Sequence, residues 1–179
     1  MEGIRQVERV CANHSCSDYR WIDPKEVIVA QWVRMKCMFG CGEYGRNASC
    51  PPNVPTMSEC ERFFKEYKKA IVFHFEKAFD NPDDRHEWTQ ETNRRLLALE
   101  RETFLSGFQK TFLLFMDSCN LCKKCTDERK ECNEPKRARP TPEAMGVDVF
   151  STMRKIGYPL EVLEDYGKTM NRYAILLVE

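Results

Sequence analysis

Apolar residues recur along this chain in two alternating patterns, short β-branched runs and stripes at helical spacing, and their order predicts the elements. Val27 to Val33 (VIVAQWV) reads as a strand. Thr56-x-x-Glu59 forms a capping box that opens a helix running to about Lys69, with Cys60, Phe63, Phe64 and Tyr67 at the i, i+3, i+4, i+7 spacing of a buried face. Ile71 to Phe75 is a second strand. Asn81 as N-cap, Pro82 at the first helical position and Asp83 and Asp84 in the first turn start a helix to about Ser106, with Trp88, Leu96, Leu99 and Phe104 marking its inner side. Thr111 to Met116 (TFLLFM) is a third strand. Thr141 caps a last helix with Pro142 at its first position. Met145, Val149, Met153 and Ile156 recur along that helix until Gly157 ends it. Tyr173 to Val178 closes the chain as a strand, and a short strand near Leu160 to Leu163 is a further candidate.

Strands alternating with helices favour an α/β or α+β single-domain sandwich spanning residues 1–179. Its sheet is expected to be mixed and partly parallel, flanked by helices, with residues 1–26 irregular. Two consecutive β-α-β units would make the first three strands parallel. Two Cys-rich loops, about 37–55 and 119–140, would then share the sheet edge where open α/β folds build their sites.

Composition narrows the chemistry. With 179 residues, 42% of them hydrophobic and 31% charged, the chain supports one ordinary core. The start MEGIRQVERV lacks an apolar signal region, and no stretch reaches membrane-spanning length, so the expected location is cytoplasmic. There, ten cysteines read as metal ligands before disulfides. The 28 basic and 28 acidic side chains cancel, so nothing in the overall charge calls for nucleic acid or a membrane surface as partner.

Cys119-x2-Cys122-x2-Cys125-x6-Cys132 is the strongest motif. Three thiols at three-residue spacing with a fourth close behind suit a 4Fe-4S core, and Pro135 echoes the Pro that ends the bacterial ferredoxin run. Zinc more usually takes two separated Cys pairs and is the alternative. Cys37-x3-Cys41-x8-Cys50-x9-Cys60 is a second candidate set, in which Gly40, Gly42 and Gly45 allow close backbone approach and Pro51 and Pro52 stiffen the exit. Cys60 has two readings, as fourth ligand from the first turn of a helix or as a small hydrophobe beside Phe63, Phe64 and Tyr67. Cys11 or Cys16, in Cys11-x2-His14-x-Cys16, could take its place, or the fourth position could be open. His74 and His86 read as structural. Lys123, Lys124, Arg129, Lys130, Lys136, Arg137 and Arg139 surround the second motif, either to offset cluster charge and steer an acidic partner or as a solvated mixed-charge loop. Glu143 reads first as a helix-start carboxylate. No Ser-His-Asp arrangement, Walker loop or G-x-G-x-x-G fingerprint is present.

Four segments together resemble one family. They are Trp32-Val-Arg-Met-Lys-Cys-Met-Phe-Gly-Cys-Gly-Glu-Tyr-Gly, Cys50-Pro-Pro-Asn-Val-Pro, the Cys119 to Cys132 run, and Arg139-Pro-Thr-Pro-Glu-Ala-Met-Gly-Val-Asp-Val-Phe150. The family is the cysteine-rich "predicted metal-binding protein" family, a domain of unknown function common in anaerobic bacteria and archaea. Where it has basic-Pro-Ser-Met-Glu-Ala character, this chain has Thr141-Pro142, which keeps the helix start. The resemblance implies metal binding in an anaerobic cytosol, with iron-sulfur clusters foremost, and brings no established reaction. The expectation is an electron-transfer or accessory protein with two 4Fe-4S clusters, on Cys119, Cys122, Cys125 and Cys132 and on Cys37, Cys41, Cys50 and Cys60, working with a redox partner protein. The alternatives are an iron-sulfur enzyme with an open iron site and a zinc-stabilised interaction module.

Overall fold

The computed structural model describes residues 2–165 and 167–179. Four strands, β1 (Tyr19–Ile22), β2 (Ala70–Lys77), β3 (Phe112–Leu114) and β4 (Met170–Leu177), form one sheet in the order β1-β2-β4-β3. Every hydrogen-bonded pair is antiparallel, which corrects the expected partly parallel sheet. β2 and β3 do point the same way, since each is antiparallel to β4, but β4 lies between them. The unit is thus a β-α-β crossover split by the last strand.

The near-continuous apolar runs follow from burial of both sheet faces, which strand direction does not alter. Side chains alternate along each strand. Ala70, Val72, Leu114, Tyr173, Ile175 and Leu177 join one core cluster, and Ile71, Phe73, Leu113, Phe115, Ala174 and Leu176 join the other. Helices α3 (Met57–Lys65) and α5 (Val149–Lys155) supply Cys60, Phe64, Val149 and Met153 to the first cluster. On the opposite face, α1 (Glu2–Asn13) and α4 (Arg85–Leu105) supply Val7, Val10, Cys11, Leu96 and Leu99. The first 26 residues, expected to be irregular, therefore hold a helix and an edge strand.

The capping signals act where they were expected. Thr56 accepts the Glu59 amide while Glu59 reaches back to the Thr56 amide, and the Asn81 side chain accepts the Asp83 amide. Phe104 departs from expectation, being 51% exposed at the outer end of α4. The expected strand over Val27 to Val33 is also corrected. Only its first residues are extended, with a single bridge from Val29 to Val147, and α2 (Gln31–Gly40) begins directly after it. Arg34, Met35, Lys36 and Met38 are good helix formers that carry the segment past its β-branched start.

The helix expected from Thr141 is two pieces. Thr141 Oγ1 accepts the Ala144 amide in a first turn, and Asp148 then caps α5 by accepting the Ser151 amide. Gly146 separates them at φ +80°, a backbone conformation strained for any residue with a Cβ, and a Cβ there would also push the Met57 methyl aside. Residues 160–163 form no strand. No helix of the described residues is long and apolar enough to cross a membrane.

Candidate metal centre

The second Cys loop leaves the carboxyl end of β3 and is closed at its base by the Phe115 amide, which donates to the Pro140 carbonyl at 2.9 Å. Inside it, Cys119, Cys122, Cys125 and Cys132 all line one small recess, together with Ala48 and Ser49 from the first Cys loop. The first loop follows α2 and does not leave a strand, contrary to expectation. Cys37 sits in the last turn of α2 and Cys41 at its C-cap, one helical turn apart, with the Cys41 amide donating to the Cys37 carbonyl at 3.3 Å.

Two asparagines that carried no signal in the sequence reading fasten the loops together. Asn47 is buried. Its side-chain amide donates to the Cys119 carbonyl at 3.0 Å and to Glu43 at 3.2 Å, and its oxygen accepts the Ser49 amide at 3.0 Å. Asn53 donates to the Asp127 carbonyl at 2.6 Å and accepts the Arg129 amide at 3.3 Å. Across the seam the Ala48 amide donates to Cys125 Sγ at 3.4 Å. Amide donors on sulfur are what a thiolate-bound group uses to tune its charge.

Cys50 is buried within electrostatic reach of thiols from both sets. Burial pushes its thiol up, and Glu43 and the thiols of Cys41, Cys37 and Cys119 add to this. Burial also raises Cys37, helped by Cys41 and Glu143 and opposed by Arg34. Cys119 is raised by burial against the amides of Leu121 and Arg139 and the Ser49 side chain. Cys122 is raised by burial and then by Cys119, Cys132, Glu134 and Cys125. Thiols that each discourage ionisation of the next form a poor resting site for several thiolates and a good one for a cation, which reverses that balance. By donor chemistry, four soft thiols lining one recess suit a soft metal group. Among the described residues no three His, Cys, Asp or Glu side chains yet close into a group that could hold a single ion, for which zinc would bring sulfurs to about 3.8 Å.

The remaining cysteines lie in the cores. Cys60 is fully buried on α3, its Sγ 3.6 Å from the Pro55 carbonyl oxygen and 3.9 Å from Met145 Sδ. Cys11 and Cys16 pack under the other sheet face, and burial pushes Cys11 up to about 12. Between them in sequence, His14 turns to Glu102 at 2.8 Å. His74 is held between Asp18 at 2.6 Å and Asn171 at 2.7 Å and stacks on Tyr173. Of the basic residues around the second loop, Lys130 and Arg137 pair with Glu128 and Glu134, while Arg139 turns inward to Glu100.

A family model described as "Predicted metal-binding protein (DUF2284)" matches residues 20–178. The chain belongs to this family. Neither a curated protein nor a solved structure matches it. The match to the metal-binding family takes in both Cys loops and begins after α1, so Cys11, His14 and Cys16 lie outside it.

Because Cys37, Cys50, Cys119 and Cys122 are all raised, each enters metal loading as a thiol at neutral pH, and each that becomes a ligand gives up one proton. Titrating zinc into metal-free protein is expected to release protons, with affinity rising as pH rises from about 6 to 8 and falling as it drops. Calorimetry in two buffers of unlike ionisation enthalpy counts them; a buffer-independent heat would show that no thiol ligates.

Proposed function

We propose that this chain is a cytoplasmic iron-sulfur protein that carries two cluster sites and passes single electrons to a partner protein. Cys119, Cys122, Cys125 and Cys132 hold one group, and Cys37, Cys41 and Cys50 hold the other. The observation that carries this reading is the gathering of Cys119, Cys122, Cys125 and Cys132 at one recess, in a loop tied to the first Cys loop by Asn47 and Asn53, with a backbone amide directed at Cys125. When bound, cubanes supply reversible one-electron chemistry at potentials set by hydrogen bonds and burial. Adjacent sites in one protein suit stepwise electron passage.

A second reading draws support from the complete burial of Cys60 in the core against Met145 and from a groove of about 1150 Å³ that reaches Cys37 and Cys41. With three thiolates the first site would keep a position open to a small molecule, and the protein would be an iron-sulfur enzyme. Anaerobic purification with iron, sulfide and zinc quantitation tests both readings. About eight iron and eight sulfide per chain, with a band near roughly 400 nm that bleaches with dithionite, is the expected result. Stoichiometric zinc without sulfide would leave a zinc-stabilised module instead.

A further inference from the structure

The groove beside the first thiol set is lined by an arginine that makes no ion pair among the described residues. Arg172, on β4, lines it, and its Nε is buried without a hydrogen-bond partner. Among the described residues its guanidinium makes a single, weak hydrogen bond, from an Nη to Met170 Sδ at 3.8 Å. Among the described residues no carboxylate lies within salt-bridge distance of it. Arg34 and Arg95 also bury an Nε without a partner, but Arg34 donates through Nη2 to the Ala144 carbonyl and Arg95 lies over the Phe75 ring, while Arg139 holds a two-pronged pair with Glu100. A desolvated guanidinium donor that lacks an acceptor is costly, and a ligand that brings one recovers the cost.

We propose that the groove binds a small organic acid, with the carboxylate received by Arg172 and an apolar body laid between Trp32, Phe150 and Leu160, next to Cys37 and Cys41. A single planar fork matches a carboxylate. Glu161 and Glu164 line the same groove, so a dianion such as a phosphate monoester meets more repulsion there than a single carboxylate does. Trp32 is 49% exposed and gives the apolar part of the ligand an aromatic surface to cover. What the acid does at the neighbouring metal rests on the open-site reading above, whereas its binding does not.

The test is a titration of the purified, metal-analysed protein with 4-phenylbutyrate, read by tryptophan fluorescence and by amide shifts of Arg172 and Phe150. 4-Phenylbutanol and phenyl phosphate serve as comparisons. The acid is expected to bind saturably and at least tenfold more tightly than either. Arg172→Gln is expected to remove that advantage, and Arg172→Lys to restore only part of it, at unchanged metal content. Equal binding of acid and alcohol by the unmodified protein would overturn the proposal without any variant, as would Arg172→Gln binding the acid undiminished. A zinc-containing preparation that binds the acid would sink the iron-sulfur reading alone. An iron-sulfur preparation that does not bind it would sink this proposal alone.

Discussion

Glu100→Ala is expected to destabilise the protein by about 3–5 kcal/mol, because it strands a charge in the interior. Glu100 on α4 has a side chain only 7% exposed, and its partner Arg139 is 19% exposed. The guanidinium meets both carboxylate oxygens at 2.9–3.1 Å, and the same carboxylate accepts the Leu113 amide at 2.9 Å. Alanine would therefore leave the Leu113 amide and the Nε and Nη2 of Arg139 without acceptor, with only Nη1 still bonded to the Lys136 and Ala138 carbonyls. Glutamine keeps one oxygen for Leu113 but turns an NH2 toward Arg139, and should recover little. Replacing both partners by Met should recover most of the loss, since no charge is then buried. Urea midpoints at constant slope measure each variant. The effect should also reach the metal centre. Arg139 sits beside the closing Phe115–Pro140 hydrogen bond, and its own amide supports Cys119, so Glu100→Ala protein that remains folded at low temperature should bind metal more weakly in the second recess.

Much of the secondary structure could be read because it is written locally. Thr56 with Glu59 and Asn81 with Pro82 act through hydrogen bonds spanning two or three residues; the first opens α3 as expected, and the second opens a 3-10 turn, Pro82–Asp84, that leads into α4 at Arg85. β2, β3 and β4 announce themselves by apolar runs, yet a run buried on both faces reads the same in either direction, and the antiparallel order depends on where β4 inserts. α1 escaped notice because its stripe of Ile4, Val7, Val10 and Cys11 is thin unless Cys11 is counted as a hydrophobe, which its complete burial shows it to be. The Cys119 to Cys132 set was legible for the same local reason as the caps, its spacing being enough to bring four thiols to one recess. Asn47, Asn53 and Arg172 were not. The first two act on residues more than seventy positions away, and the third is conspicuous only for what it fails to contact.

The two roles left open for Cys60 separate in a paired experiment with Cys50. Cys50→Ser is expected to lose the metal of the first site, because its buried thiol is within electrostatic reach of Cys37 and Cys41, and a hydroxyl is a poor ligand for soft iron. Near-isosteric replacement leaves the loop's hydrogen bonds through Asn47 and Asn53 in place, so folding should persist and the deficit should appear as metal and sulfide, roughly half the native content. Cys60→Ala is expected to do the reverse. Its sulfur fills space against Met145 in the core beneath α3, and removing one buried atom of that size should cost on the order of 1 kcal/mol of stability with metal content intact. Metal analysis and urea midpoints on the same preparations decide it. Loss of iron from Cys60→Ala at an unchanged midpoint would restore Cys60 as the fourth ligand and close the position that the groove at Cys37 and Cys41 leaves free.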